Sequence, residues 1–256
     1  MKKLMLPLVL LLLASGASAA IQMEPVDYKQ GDTTLKGVLV YDDAAPGPRP
    51  GVLVVHEWWG LNDYARMRAK MLAEAGYVAF AVDMFGDGKT TDHPSEAGEW
   101  AAALAQNKGT AGARFKAAYE LFRKDKRVDG SRIAAIGYCM GGSVVLTMAT
   151  DGMDLKGVAS FHGGFPGEPG KGPIKASLLI CQGAADEFST LEQARQFLGV
   201  LNSAGADYEF VVYSGAKHSF TNPGADGRGI PQLAYNANAD HRSWATLLDF
   251  LGEVLK

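Results

Sequence analysis

Residues 137–141, of sequence GYCMG, constrain the fold of this chain more than any other segment. They follow an apolar run at 132–136 that is typical of a buried strand, and they precede an apolar run at 142–149 that is typical of a helix. A strand that turns sharply into a helix needs glycine on both sides of the turn, because a Cβ there would collide with the neighbouring strand or helix. The turn residue is Cys139, whose thiol would lie at a helix N-terminus, where the macrodipole and free N–H groups favour the thiolate. Taken alone, the segment fits either a nucleophile or a buried structural cysteine.

Apolar β-branched runs alternate with helical patterns along the rest of the chain, which predicts an α/β fold with a mostly parallel sheet and helices on both faces. The predicted strands are 35–41, 51–56, 78–82, 132–136, 157–161, 177–181 and 208–213. The predicted helices are 62–75, 96–106, 111–124, 141–149, 190–204 and 240–255. We expect the first two strands, joined by the proline-containing loop 44–50, to form an N-terminal antiparallel hairpin.

Residues 222–239 contain prolines and glycines and show no periodicity, which predicts a long loop that is either functional or a surface excursion. The sequence has no internal repeat and no second domain, so we expect residues 20–256 to form one domain around one core. The net charge is −3 and no basic stripe is present, which argues against a nucleic-acid partner.

The first 19 residues have the organisation of a cleaved signal peptide. Lys2 and Lys3 precede a short apolar run at 4–13, and the A-x-A site at 17–19 predicts cleavage before Ala20. The apolar run is too short for an ordinary membrane span, so the alternative of an uncleaved anchor is the weaker one. The mature chain is therefore expected to be periplasmic or secreted, without a stable membrane anchor.

The two cysteines, Cys139 and Cys181, would meet an oxidising compartment, so a disulfide between them must be considered. Cys139 follows one predicted parallel strand and Cys181 lies two strands later, with 157–161 between them. Two strand spacings are roughly 9.6 Å, which exceeds the limit of about 7 Å between bridged Cα atoms. We therefore expect a free thiol at Cys139.

Four chemically competent residues fall at predicted strand ends: Glu57, Cys139, Asp186 and His218. The carboxyl ends of parallel strands meet at one edge of a sheet, which is where ligands bind in open α/β folds. The order nucleophile, acid, histidine is that of α/β-hydrolases. In acyl transfer, Cys139 would attack the carbonyl carbon, His218 would move the proton, and Asp186 would hold the imidazole.

A chain with these four residues in this order resembles the dienelactone hydrolase family (carboxymethylenebutenolidase-like), and the resemblance extends over the whole mature length. The resemblance rests on the segments HEWWG at 56–60, GYCMGG at 137–142, GAAD at 183–186 and KHSF at 217–220. It implies a single α/β-hydrolase domain that uses no metal and no cofactor and hydrolyses small esters or lactones through an acyl-enzyme. We expect the protein to be a monomer.

The resemblance also implies roles for further residues. Glu57 would contact the resting thiol and take its proton when substrate binds, as a carboxyl with a raised pKa can do near neutrality. The backbone N–H groups of Trp58 and Met140 would form the oxyanion hole. The sequence departs from the family at Asp87 and Asn222, where the family's lactonases carry arginines that bind the substrate's carboxylate. Anionic substrates are therefore expected to bind poorly, unless Lys89, Arg66 or Lys217 replaces those arginines.

A substrate pocket is predicted from residues near the strand ends: Trp59, Phe85, His162, Phe220 and Asn222, together with Trp58. The alternative for the aromatic residues is the core, and for His162 a hydrogen-bonded structural histidine. Other functions also stay open at this point: a thioesterase or peptidase of the same fold, a catalytically silent binding protein, or a metal site. The last lacks any C-x-x-C or H-x-x-x-H spacing in the sequence.

Overall fold

A computed structural model describes residues 20–107, 109–167 and 172–256. The predicted signal peptide lies outside the described residues. Within them, eight strands form one sheet: β1 (Ile21–Gln30), β2 (Thr33–Asp42), β3 (Arg49–Val55), β4 (Val78–Val82), β5 (Val128–Tyr138), β6 (Gly157–Phe161), β7 (Ser177–Gly183) and β8 (Tyr208–Tyr213). Their order is β1-β2-β4-β3-β5-β6-β7-β8, and all pairs from β4 to β8 are parallel.

Six α-helices connect the strands of the described chain: α1 (Asp63–Glu74), α2 (Pro94–Gln106), α3 (Thr110–Phe122), α4 (Met140–Thr150), α5 (Leu191–Ser203) and α6 (Ala237–Val254). Local sequence explains several of their ends. The Asn62 side chain accepts a hydrogen bond from the Ala65 backbone and caps α1, while Gly76 follows that helix with φ 97°. Thr190 and Gln193 form a capping box at the start of α5.

The central strands are buried on both faces, and the helices cover each face of the sheet with a separate apolar cluster. Leu53 and Val55 of β3 face the cluster that includes α3, α4 and α5, whereas Val52 and Val54 face α1 and α6. This alternation follows from the two-residue period of a strand. The predicted fold class, an α/β-hydrolase fold with a mostly parallel sheet and helices on both faces, is confirmed.

The N-terminal hairpin is present, but it is not made of the two strands that the sequence predicted. Its strands are β1 and β2, and β2 pairs on its other side with β4. The wholly buried strand β4 therefore separates β2 from β3, and the loop at 44–50 crosses between non-adjacent strands. The sequence did not reveal β1, because it is a largely exposed edge strand that contains Pro25 and has no continuous apolar face.

The loop after β8 is shorter than predicted and is tied to the residues around His218. A 3₁₀ turn occupies Ala225–Arg228, and α6 already begins at Ala237. The backbone N–H of Ala234 donates to the carbonyl of His218 at 3.1 Å, and an isolated parallel bridge pairs His218 with Leu233. Across the described ranges, no helix combines the length and apolar character needed to cross a bilayer.

Candidate active site

Cys139 occupies a strained turn between β5 and α4, with φ 54° and ψ −118°. A Cβ on Gly137 would lie 2.1 Å from the carbonyl oxygen of Gly141, and one on Gly141 would lie 2.3 Å from that of Val55. Both contacts are far inside van der Waals distance, so the turn requires glycine at the two flanking positions, as the motif predicts. The geometry presents the Cys139 side chain at the N-terminus of α4, half-buried, at the carboxyl edge of the sheet.

The imidazole of His218 lies between Cys139 and Asp186. Its Nδ1 is 2.9 Å from Asp186 Oδ2, and His218 lines the same cavity as Cys139. Burial lowers the pKa of His218, but the charge on the Cys139 sulfur and the bond to Asp186 outweigh it and raise the pKa to about 10. At neutral pH the imidazole is therefore protonated, and it can donate a proton to a leaving group.

Asp186 is held in place by four donors. Its Oδ1 accepts from the backbone N–H groups of Phe188 and Ser189, both at 2.9 Å. Its Oδ2 accepts from Gln182 Nε2 at 2.9 Å as well as from His218. Because these donors fix both oxygens, the carboxylate can orient the imidazole without moving itself.

Glu57 is buried directly after β3, and its carboxylate binds two side chains of the loop that follows His218. Ser219 Oγ donates to Oε1 at 2.7 Å, and Asn222 Nδ2 donates to Oε2 at 2.5 Å. Burial raises the pKa of Glu57, although these two hydrogen bonds and the nearby His218 oppose the change. The contact with the resting thiol that the resemblance implies is absent from the hydrogen bonds of the described residues. Both carboxylate oxygens are already bound, to Ser219 and Asn222.

Cys139 and His218 open into a cavity of about 240 Å³ whose walls are mostly apolar. The other residues that line it are Trp58, Ala101, Met140, Ser143, Gly164, Phe188, Ser189 and Leu233. Trp58 and Met140, the two residues expected to supply the oxyanion hole, are both in its wall. The N–H of Met140 is at the first position of α4 and has no acceptor within that helix, so it is available to a ligand.

Of the residues predicted to form a substrate pocket, only Trp58 lines this cavity. The remaining predicted residues are buried behind the cavity and do not line it; they are Trp59, Phe85, His162, Phe220 and Asn222. Trp59 packs with Ala97 and Leu233, and the Phe85 ring packs on that of His56. Asn222 instead donates to Glu57 and lines a different cavity, so it does not face the cavity at Cys139.

The sequence did not reveal the residues that form most of the cavity wall. Phe188 carries a usable signal, since it follows Asp186 by two positions and its ring packs edge-on against His218 at 5.1 Å. Ala101 lies in the middle of α2, and Leu233 is brought in by its bridge to His218. No sequence pattern marks either of these two residues as a wall of the site.

The charged residues near the cavity show whether another cation replaces the two arginines that the family's lactonases carry. In the described part of the chain, no lysine or arginine lines the cavity at Cys139. Asp87 is exposed and also lies outside it. Of the suggested substitutes, Lys217 donates to the carbonyl of Pro231 at 2.8 Å, and Arg66 lines a different cavity.

Backbone strain is concentrated at this site. Four non-glycine residues of the described ranges have a left-handed backbone, and three of them surround the thiol: Cys139 (φ 54°), His162 (φ 43°) and Ser219 (φ 57°). The fourth is Asp87. Within residues 20–107, 109–167 and 172–256, no three His, Cys, Asp or Glu side chains are grouped as a metal ion would require.

Comparison with known proteins agrees with the fold. The dienelactone hydrolase family model matches residues 35–255. Protein usf of Aquifex pyrophilus is 28% identical over 212 residues, which cover 80% of this chain and 89% of that protein. A putative carboxymethylenebutenolidase of Aquifex aeolicus is 25% identical over 213 residues, 81% of this chain and 89% of the relative.

Solved structures agree as well. A dienelactone hydrolase-like promiscuous phosphotriesterase from metagenomic libraries is 34% identical, with a TM-score of 0.89 over 93% of this chain and 100% of its own. A putative dienelactone hydrolase of Klebsiella pneumoniae shares the fold, with a TM-score of 0.76 at 24% identity over 91% of this chain and 99% of its own. Since the family model spans the sheet from β2 onward and all six helices, the chain belongs to the dienelactone hydrolase family and is a hydrolase of ester or lactone bonds.

Proposed function

We propose that this chain is an exported cysteine hydrolase that cleaves small, uncharged esters or lactones through an acyl-enzyme. The observation that carries the proposal is the pairing of Cys139 with a protonated His218 at the mouth of an apolar cavity. A thiolate at a helix N-terminus, beside an imidazolium, is an activated nucleophile.

In the first half of the reaction, the Cys139 sulfur attacks the carbonyl carbon, and the carbonyl oxygen takes up the electron pair. The N–H groups of Trp58 and Met140, both in the cavity wall, stabilise that oxyanion. The intermediate then collapses, the carbon–oxygen bond to the leaving group breaks, and His218 gives its proton to the departing alkoxide. An alcohol leaves, and the acyl group remains on Cys139 as a thioester.

In the second half, water attacks the thioester while His218, now neutral, accepts its proton. Breakdown of the second intermediate releases the carboxylic acid and restores the thiolate and the imidazolium. Asp186 keeps the imidazole oriented through both steps by its bond to Nδ1.

Glu57 acts as an auxiliary base in this proposal. If the thiol is protonated at rest, the carboxylate would leave Ser219 and Asn222 and take the proton, and the thiolate would then form. Its burial supports this role, because a raised pKa makes a carboxylate a competent base near neutrality.

The cavity favours uncharged substrates. Its walls are apolar, and among the described residues it has no basic side chain to pair with a substrate carboxylate. A charge-assisted hydrogen bond contributes about 1.5–3 kcal/mol, so an anionic ester that lacks two such bonds should react more than about tenfold less efficiently.

The test compares a methyl ester with the free acid of the same dienelactone, and adds a neutral aryl acetate. A neutral aryl phosphotriester belongs in the same panel, since the 34% identical relative is a promiscuous phosphotriesterase. We expect kcat/KM to be higher for the methyl ester than for the acid, and a rapid quench to show an acyl adduct on Cys139. A clear preference for the free acid, or turnover without any adduct on Cys139, contradicts the proposal.

Export is proposed from the signal sequence at 1–19 alone. In a bacterial host, the activity should be recovered from the periplasmic fraction, and the mass of the protein should correspond to a chain that begins near Ala20. Activity confined to the cytoplasm, with an intact N-terminus, contradicts this part of the proposal.

A further inference from the structure

His162 follows β6, is fully buried, and contacts both loops that carry the reacting side chains. Its Nδ1 is 3.1 Å from the backbone nitrogen of Cys139, and its Nε2 is 2.9 Å from Thr221 Oγ1. Thr221 lies in the loop 218–222, which begins with His218. Among the hydrogen bonds of the described residues, only this ring joins the Cys139 backbone to that loop.

The contacts fix the tautomer of this histidine. A backbone N–H can only donate, so Nδ1 of His162 must accept from Cys139, and in a neutral ring the proton is then on Nε2. That proton is donated to Thr221 Oγ1, which also lies 2.6 Å from the hydroxyl of Tyr64 on α1. The N–H of Cys139 is shared with the carbonyl of Phe161 at 3.0 Å, so the ring completes a three-centre hydrogen bond.

We infer that His162 is a positioning residue, a neutral and rigid spacer that holds the Cys139 backbone in register with the loop of His218. Cys139 follows β5 and His218 follows β8, and β6 and β7 lie between these two strands. Without the His162 ring, the main-chain hydrogen bonds of the sheet would connect the two residues only through those intervening strands. The inference rests on the proposed function of Cys139. It assigns His162 no contact with substrate, because the residue has no exposed surface.

The surroundings of the ring support a neutral spacer. The rings of His218 and Phe220 pack edge-on against it, with centroids at 5.0 and 5.4 Å. Burial, together with the positive charges of His218 and Arg68, holds the pKa of His162 well below its usual range. A protonated ring would turn Nδ1 into a donor facing another donor, so neutrality is what the contact with Cys139 requires.

The first test replaces the ring while following kcat, KM and melting temperature. His162→Phe keeps a planar ring and removes both nitrogens, and we expect kcat to fall by about tenfold to a hundredfold with little change in KM. His162→Asn restores an acceptor near the position of Nδ1 and tolerates the left-handed backbone, so it should recover part of the loss. The rate is expressed per folded chain, with the folded fraction taken from circular dichroism of the same preparation. A His162→Phe protein with wild-type kcat per folded chain overturns the inference.

The second test changes Thr221, the residue that contacts Nε2 of His162, and it keeps the inference testable if His162→Phe does not fold. Thr221→Val removes the oxygen that accepts from Nε2, whereas Thr221→Ser keeps it. We expect a several-fold lower kcat for the valine variant than for the serine variant. Equal kcat in the two variants overturns the inference, even if the valine variant melts at a lower temperature.

The same assays separate this inference from the function on which it rests. Loss of turnover in Cys139→Ala together with unchanged kcat in His162→Phe overturns the positioning role alone. Full turnover in Cys139→Ala overturns both.

Discussion

The two cysteines of this protein lie two strands apart in one sheet and have very different surroundings. Cys139 comes directly after β5, is half-buried, and lines the cavity beside His218. Cys181 lies within β7, is completely buried, and has the hydroxyl of Tyr213 at 3.7 Å from its sulfur. Burial raises the pKa of the Cys181 thiol to about 12. Under the proposed function, one side chain type is thus a nucleophile at a strand end and an inert packing group within a strand.

The sheet also explains why the two cysteines stay apart. β6 lies between β5 and β7, and Cys181 pairs in register with Phe161 of that strand. Both thiols are free in the structure, as the predicted strand order requires. The intervening strand therefore keeps the two cysteines too far apart to form a disulfide with each other.

The largest expected effect comes from removing the reactive cysteine. Cys139→Ala should lower kcat/KM for a neutral ester by about 10³-fold or more, because no other side chain replaces the nucleophile. Iodoacetamide should inactivate the native protein while adding one carboxamidomethyl group, located on Cys139 by peptide mapping. Labelling of Cys181 in the native state, or wild-type hydrolysis by Cys139→Ala, would remove the contrast between the two thiols.

A smaller effect is expected at Glu57, the buried carboxyl group that the proposed function assigns as the base for Cys139. Glu57→Gln should reduce kcat by about 10²-fold, the usual scale of general-base catalysis. The raised pKa of Glu57 sets the sign of the pH dependence: the base works only above its pKa, so wild-type activity falls as pH drops through that value. A pH–rate profile of both proteins should show this acid limb in the wild type and not in the glutamine variant. Equal rates would leave Cys139 activated by His218 alone.

The smallest effect is expected at the packed cysteine. Cys181→Ala should leave kcat and KM close to wild type and reduce the free energy of unfolding by about 1 kcal/mol, because it removes one buried sulfur from β7. Urea unfolding measures the loss, with the ester assay on the same preparation. A large fall in kcat with unchanged stability would contradict the assignment of Cys181 to packing.

Much of the fold could be predicted because buried parallel strands have a strong local signal. The strands 78–82, 157–161 and 208–213 have the bounds that the apolar runs indicate. β1 lacked that signal, since most of its side chains face solvent at an edge, and the hairpin was consequently assigned to the wrong pair. Strand pairing depends on the whole sheet, which a local run of residues cannot report.

The candidate site likewise has some features that the sequence predicts and others that it does not. The residues at strand ends, Cys139, Asp186 and His218, meet because parallel strands share a carboxyl edge, and that rule requires no side-chain detail. The hydrogen-bond partners of Glu57 depend on the conformation of its side chain. The composition of the cavity wall depends on where a helix places Ala101 and a loop places Leu233. These features arise from tertiary packing, so no periodicity or spacing in the sequence encodes them.

The left-handed backbone at Cys139, His162 and Ser219 has a consequence for engineering this scaffold. Each such residue costs about 1–3 kcal/mol, against a net stability of about 5–15 kcal/mol for a typical domain. A screen that rewards thermostability alone could therefore accept glycine at Ser219, where relief of strain offsets the lost hydrogen bond to Glu57. Mutant libraries designed to raise the thermostability of this enzyme should keep these three positions unchanged. They should instead vary residues on the outer faces of α5 and α6, away from the turn that contains Cys139.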